Sequence, residues 1–122
     1  MTDNIIKTKA DAFAVRIVNA YRYLTVEKNE KRMSDQMYRS GTAIQALIAE
    51  AEYAQSTADF ISKMSIALKE ANETRSWIKL LHETGYFSDG MYCSIYDDIN
   101  QIVIILIAII RKTKDNLRSK NI

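Results

Sequence analysis

Hydrophobic residues recur along most of the chain at spacings of three and four, which is the period of helices that pack along one face. Two such stripes follow each other in the middle of the sequence. The first contains Met37, Gly41, Ile44, Ile48 and Ala51, and the second contains Phe60, Met64, Ala67, Ala71, Thr74, Ile78 and Leu81. Between the stripes, Ser56 and Asp59 have the spacing of a capping box, which predicts the start of a new helix. The two stripes therefore predict a helical hairpin.

Further stripes before and after this hairpin predict two more helices. One contains Ala10, Phe13, Ile17, Tyr21 and Leu24, and the other contains Met91, Ile95, Ile99, Ile102 and Leu106. The predicted helices cover about residues 9–24, 34–55, 57–84 and 89–114, and the residues after the last helix are predicted to fray. The predicted capping residues are Thr8, Ser34 and Ser88 at helix starts and Gly85 at the end of the third helix.

The composition agrees with a chain that is helical almost throughout. The 122 residues include no proline and only three glycines, so few positions interrupt a helix. Four long helices joined by short connections predict an all-α protein. We expect an antiparallel up-down-up-down four-helix bundle that forms a single domain over residues 1–122.

Three features of the sequence bear on the cellular compartment. The single cysteine, Cys93, leaves no partner for an internal disulfide and suits a reducing environment. The N-terminal residues lack the apolar run of a signal peptide. The longest apolar run, from Ile102 to Ile110, has nine residues, whereas a bilayer-spanning helix needs about 20. We therefore expect a cytoplasmic protein with no membrane partner.

The fourth helix carries more apolar surface than one bundle buries. Its run from Ile102 to Ile110 is apolar on every side, whereas a helix in a bundle buries a single stripe. We therefore expect a homo-oligomer, with helix 4 and the outer apolar residues of helix 1, Val15 and Val18, as the interface.

Inside helix 2, Gly41 lies on the buried stripe, where glycine costs about 1 kcal/mol relative to alanine. Its position there predicts the close approach of another backbone.

Glu50 has the most unusual predicted surroundings of the polar residues. Its helical neighbours are Ala43, Ala46, Leu47 and Ala54. A carboxylate in an apolar environment needs a partner or loses its charge. Arg39 lies on the same face, but about 16 Å away along the helix axis, which is too far for a direct bond. We therefore expect the partner of Glu50 on another helix or another subunit, in a structural ion pair or in a functional site.

The residue types of common catalytic sites are incomplete in this chain. Helical di-iron sites use two Glu-x-x-His motifs, but His82 is the single histidine, so we expect no metal and no cofactor. Arg75 and His82 fit the Arg-x4–6-His spacing of HEPN-type ribonucleases, although a chain with seven arginines also produces this spacing by chance. Cys93 has no base near it in the sequence, which disfavours a nucleophile. We therefore predict a protein that is not an enzyme.

The C-terminal residues form a basic cluster in a chain whose net charge is only +2. The cluster consists of Arg111, Lys112, Lys114, Arg118 and Lys120. Positive charges at this place either complement the dipole at a helix end or contact the phosphates of a nucleic acid. Because an oligomer would repeat the cluster once per subunit, we predict that these residues bind nucleic acid.

Several segments of the sequence also carry a family resemblance. They are Phe13–Val18, Arg39–Ile44, Ile48–Ala51 and Phe60–Thr74, followed by Trp77, Leu80, Leu81, Gly85 and Tyr86. In this order they resemble the bacterial four-helix-bundle family of 23S rRNA intervening-sequence proteins, also called the S23 family. The resemblance implies that the family's structural motif is carried by Arg39, Gly41, Glu50, Glu70 and Glu73. Gln45 and Leu47 depart from the family pattern, in which these positions hold small or polar residues.

The resemblance implies an antiparallel four-helix bundle assembled into a ring-shaped homopentamer, for which no catalytic residues are established. The family is similar in fold to the accessory variability determinant of diversity-generating retroelements, a strongly basic pentamer, from which this chain departs in its net charge. We predict a non-enzymatic oligomeric scaffold that binds RNA or a ribonucleoprotein. One alternative is a protein–protein interaction module without nucleic-acid binding. A less well supported alternative is a ribonuclease that uses Arg75 and His82.

Overall fold

The structure of this protein, a computed structural model, describes residues 4–120, which form four α-helices. Helix α1 covers Asn4–Arg22 and continues as a π-helical segment over Tyr23–Glu27. Helix α2 covers Arg32–Ala51, α3 covers Thr57–Glu83 and α4 covers Asp89–Lys120. Because no strand occurs within residues 4–120, the predicted all-α fold is confirmed.

Successive helices run antiparallel and form the predicted up-down-up-down bundle. Helix α2 packs against α1 and α3, α3 packs against α4, and α1 also contacts α4. Two side-chain contacts close the bundle between α1 and α4: Arg16 lies 2.6 Å from the Asp98 carboxylate, and the Lys9 ammonium donates to Gln101 at 2.6 Å. The largest fully buried side chains are Phe13, Ile6, Ile17, Leu24, Met37, Ile44, Ile48, Met64, Ile78, Leu81, Ile99 and Ile102. These residues belong mainly to the stripes seen in the sequence.

Helix α1 begins earlier than predicted. Thr8 was predicted as its N-cap, but the helix already includes Asn4, and Thr8 is an exposed residue inside it. The physical reason is Ile6, which is 0% exposed. It continues the buried stripe of Ala10 and Phe13 by one further turn towards the N-terminus, so burial favours helix where the capping signal alone favoured a boundary.

The start of α2 is capped by Glu30 and not, as predicted, by Ser34. Helix α2 begins at Arg32, and the buried Ser34 lies in its first turn. The Glu30 carboxylate accepts hydrogen bonds from the amides of Met33 and Ser34 at 3.1 and 2.8 Å, and from the Ser34 hydroxyl at 2.6 Å. Burial opposes the ionisation of Glu30, but these hydrogen bonds outweigh it and lower the pKa of the carboxyl group. The preceding residue, Asn29, has a φ of 54°, in the left-handed region.

Helix α2 ends at Ala51, four residues before its predicted limit of 55, and a short turn over residues 52–56 follows. The predicted N-cap of α3 is confirmed, because the Ser56 hydroxyl accepts a hydrogen bond from the Asp59 amide at 3.0 Å. The Asp59 carboxylate in turn accepts one from the Gln55 amide at 3.1 Å. These reciprocal bonds are those of a capping box and define the geometry of the turn.

The end of α3 follows the sequence signals. Gly85 has a φ of 88°, which a residue without a Cβ adopts at no steric cost. Its amide donates to the carbonyl of His82 at 3.1 Å, and the amide of Tyr86 donates to that of Leu81 at 2.9 Å, which together form a Schellman cap. Ser88 then caps the first turn of α4 through an amide 3.3 Å from its hydroxyl oxygen.

Helix α4 is helical through Lys120, beyond its predicted limit of residue 114. One side is buried in the bundle, whereas the other leaves Ile104 67% and Ile107 38% exposed. By length and apolar composition alone α4 could cross a bilayer, although a core helix meets the same criteria. Only 33% of its most apolar stretch is buried within the chain, so apolar surface remains available to a partner.

Candidate functional site

The basic residues predicted to bind nucleic acid lie on the last three turns of α4. All five side chains, those of Arg111, Lys112, Lys114, Arg118 and Lys120, are exposed. Within residues 4–120, none of them forms an ion pair with a carboxylate. The same stretch contains one acidic residue, Asp115. Because the stretch is helical, each charge has a defined angular position on α4.

Three of the five basic residues share one face. Arg111, Lys114 and Arg118 recur at spacings of three and four, which places them on the same side of the helix. They line a shallow groove between α4 and α3, where Leu68 of α3 provides an apolar wall and Asp115 also contributes. The groove is open to solvent and combines positive charge with apolar surface.

The opposite face of α4 borders the turn between α2 and α3. Thr113 on this face lines a depression together with residues of the turn and of the first turn of α3. Lys120 follows Thr113 by seven residues, which is two helical turns, and therefore lies on the same face. Tyr53 lies in the turn and is 87% exposed. The sequence analysis missed Tyr53 because it assigned residues 34–55 to one continuous helix.

The motif residues Arg39, Glu70 and Glu73 are brought together between α2 and α3. The Arg39 guanidinium donates to the Glu70 carboxylate at 3.3 Å and also to the Glu73 carboxylate. The bond to Glu73 is the main cause of the raised pKa of Arg39, so this side chain stays charged. Next to it, the fully buried hydroxyls of Thr74 and Ser40 are hydrogen-bonded at 2.7 Å. These residues join two helices and touch none of the basic residues of α4.

The other two motif residues have contrasting surroundings. Gly41 faces Ile17 of α1, and a Cβ at position 41 would lie 2.8 Å from the Ile17 Cγ1 atom. The predicted close approach is present, but a side chain makes it and not a backbone. Glu50 was expected in an apolar environment, which is wrong: its side chain is 58% exposed, with Lys63 of α3 3.9 Å away. The reason is that none of its four apolar neighbours is fully buried: Ala46 is exposed, and the other three are only half-buried.

Arg75 and His82 do not form one site. The Arg75 guanidinium donates to the side-chain carbonyls of Asn72 and Asn100 at 2.8 and 2.9 Å. The His82 ring stacks on Tyr92 at a centroid distance of 4.0 Å, and its Nε2 atom lies 2.7 Å from an aspartate at the start of α4. In the part of the chain that the structure describes, no group of three histidine, cysteine or acidic residues is placed to hold a metal ion.

The structure defines the class of protein as an antiparallel four-helix bundle. Its outer faces carry apolar surface, and the end of its last helix is basic. The family described as 23S rRNA-intervening sequence protein matches residues 2–108, and the chain belongs to this family. The match confirms the resemblance found in the sequence. It ends before Arg111, so the basic residues of α4 lie outside the matched range.

A solved structure is similar in both sequence and fold. It is the 1.70 Å crystal structure of a protein of unknown function from the S23 ribosomal protein family of Bacteroides thetaiotaomicron. The two proteins are 54% identical, with a TM-score of 0.85, and the similarity covers 86% of this chain and 97% of that one. No curated protein sequence matches this chain. The comparisons therefore establish the family and the fold of this chain. The basis for a proposed function is its exposed basic and apolar surface.

Proposed function

We propose that this protein is a non-enzymatic, self-associating scaffold that binds RNA, alone or within a ribonucleoprotein, through the basic end of α4. The observation that supports it is the set of five exposed basic side chains between Arg111 and Lys120, unpaired within residues 4–120. Such charges on an ordered helix can neutralise several phosphates together. The family description, which refers to an intervening sequence of 23S rRNA, agrees with an RNA partner.

Self-association is supported by apolar surface on two different helices. On α1, Val15 is 61% exposed and lies with Val18 in a groove against α2. On α4, Ile104 is 67% exposed. Two different patches on one subunit suit a heterologous contact, which repeats from subunit to subunit and can close into a ring. A homopentamer would present five basic helix ends, and simultaneous contacts would strengthen RNA binding.

RNA binding by the full-length protein across a salt series tests this function. The probe is a fluorescently labelled RNA hairpin with an unpaired loop, and the readout is its anisotropy. We expect log K to fall linearly with log salt, with a slope of about −0.7 to −0.9 for each phosphate neutralised. A variant with Lys114→Gln, Arg118→Gln and Lys120→Gln should bind more weakly and show a shallower slope, because it removes three cations per subunit.

A matched variant separates the α4 site from a general effect of charge. Arg32→Gln, Lys69→Gln and Lys79→Gln remove three exposed cations from α2 and α3 and leave α4 unchanged. This variant should keep most of the wild-type affinity. Equal losses in the two variants would show that α4 is not the contact. Absence of wild-type binding at low salt, where the electrostatic contribution is largest, would refute RNA binding altogether.

A protein–protein interaction module without nucleic-acid contact is the second candidate function. The low net charge of +2 and the exposed side chain of Ile104 favour it. Under this alternative, RNA does not bind at low salt, and binding of a protein partner survives the three glutamine substitutions in α4. The salt series therefore distinguishes the two functions directly.

A further inference from the structure

Tyr53 is more exposed than any other large hydrophobic residue between Ile5 and Lys120, at 87%. Within that range its ring and hydroxyl group make no hydrogen bond or ring contact. Other tyrosines of the bundle are engaged: the Tyr21 hydroxyl donates to Asp35 at 2.7 Å, and Tyr92 stacks on His82. A single exposed aromatic residue needs no functional explanation by itself. The residues around Tyr53 therefore determine whether its exposure indicates a binding role.

The turn that carries Tyr53 is ordered. The Tyr53 amide donates to the carbonyl of Glu50 at 3.0 Å, and the amide of Ala54 donates to that of Ala51 at 3.2 Å. The capping box at the start of α3 holds the other side of the turn. Because the backbone of the turn is already fixed, a partner that stacks on the ring has to immobilise only the side chain of Tyr53.

The same turn lies against the basic part of α4. The residues on either side of Tyr53, Glu52 and Ala54, line a depression together with Thr113, and the residue before Thr113 is the exposed Lys112. Lys120 lies on the face of Thr113, about 10 Å further along the helix axis at 1.5 Å per residue. Proteins hold single-stranded nucleic acids by this combination, in which cations follow the backbone and aromatic rings stack on the bases.

We infer that Tyr53 stacks on a base of an unpaired RNA segment whose phosphates are held by Lys112 and Lys120, the two basic residues of α4 that do not line the groove against Leu68. In duplex RNA the bases are stacked on each other and closed to a tyrosine ring, whereas unpaired bases are free to stack on aromatic side chains. The inference rests on the proposed RNA-binding function and names its substrate class as single-stranded RNA.

The test compares full-length wild type with Tyr53→Ala and Tyr53→Phe. The probes are a short labelled oligouridylate and a blunt RNA duplex. Tyr53→Ala should weaken oligouridylate binding between about five-fold and about 150-fold, the effect of losing one stacked base. It should leave the salt slope and the duplex affinity unchanged, because no charge is removed. Tyr53→Phe keeps the ring and should keep the affinity.

Tyr38→Ala is the matched control. Tyr38 is also an exposed tyrosine, but it lies in the first half of α2, about 20 Å along the helix axis from the turn. This variant should bind oligouridylate like the wild type.

Unchanged binding in Tyr53→Ala, with binding lost in the triple glutamine variant of α4, would overturn the stacking role and leave the proposed function standing. If the wild type binds neither probe, both the stacking role of Tyr53 and the proposed RNA-binding function are overturned. A changed particle mass of Tyr53→Ala in light scattering would place Tyr53 in a contact between subunits and would also overturn the inference.

Discussion

At Gly41, the absence of a methyl group determines how closely α1 and α2 pack. A Cβ at this position would lie 2.8–3.0 Å from three side-chain carbons of Ile17, which is 0% exposed and has no room to move. Overpacking costs about 1–3 kcal/mol, whereas alanine contributes about 1 kcal/mol through helix propensity. We expect Gly41→Ala to lower the free energy of unfolding by up to about 2 kcal/mol in urea denaturation.

Gly90→Ala is the control for this substitution. No atom lies within 4 Å of a Cβ at position 90, so this variant should be as stable as the wild type or more stable by up to about 1 kcal/mol. Adding Ile17→Val to Gly41→Ala removes one of the crowded carbons and should restore part of the lost stability. An unchanged stability of Gly41→Ala would contradict the close packing of the two helices.

At the scale of one element, the start of α2 depends on Glu30. Burial alone would raise the pKa of this carboxyl group, but the hydrogen bonds from Ser34 and the first-turn amides bring it below 4.5. A group with a lowered folded-state pKa contributes stability that is present above its unfolded pKa and lost as the pH falls through its folded pKa. We expect Glu30→Ala to lower the free energy of unfolding by about 1–2 kcal/mol at neutral pH.

Urea denaturation over a pH series measures this contribution. The difference between wild type and Glu30→Ala should shrink as the pH falls below 4.5, because both proteins then lack the charged cap. Glu27→Ala, which removes an exposed carboxylate from the end of the π-helical segment three residues earlier, is the control and should have little effect. A difference that stays constant from neutral to acidic pH would show that the Glu30 charge does not stabilise α2.

At the scale of the whole molecule, Ile104 tests the self-association of the bundle. It is 67% exposed in the single chain, so Ile104→Lys should not disturb the core. In light scattering, we expect the wild type near 70 kDa for five copies of the 14.0 kDa chain. Ile104→Lys should shift the particle towards the mass of one chain, because a charge would be buried in the contact.

Val26→Lys is the control for this experiment. Val26 is 75% exposed and lies in the π-helical segment, where it does not line the groove that contains Val15 and Val18. This variant should keep the wild-type mass. A wild-type mass of 14.0 kDa at micromolar concentration would refute self-association, and an unchanged mass in Ile104→Lys would remove α4 from the contact.

Helical periodicity was sufficient to predict the bundle because one face of each helix is buried along nearly its whole length. The hydrophobic stripe from Phe60 to Leu81 on α3 is an example, since all seven of its residues are buried. The positions of helix ends depend on a competition between capping and burial at a few residues, which the hydrophobic period does not show. Glu30 caps α2 through a buried carboxylate, and Ile6 extends α1 through burial alone.

The candidate site was predictable only in part, for a related reason. The basic residues of α4 are consecutive in sequence and exposed, so composition was enough to find them. Glu50 was misplaced because apolar neighbours look alike in a sequence whether they face the core or the solvent. Tyr53 was missed because its exposure depends on α2 ending at Ala51, which brings the turn beside Thr113 of a helix distant in sequence.

The order of packing also has a consequence for how the chain folds. Three of the helix pairs are neighbours in sequence, and the turn at Gly85 is closed by bonds between residues a few positions apart. Such local pairing gives a low contact order, for which folding is fast. The contact between Arg16 and Asp98 spans 82 residues, so its loop closes at a greater entropic cost. The hairpins can therefore form first, and docking of α1 onto α4 completes the native state.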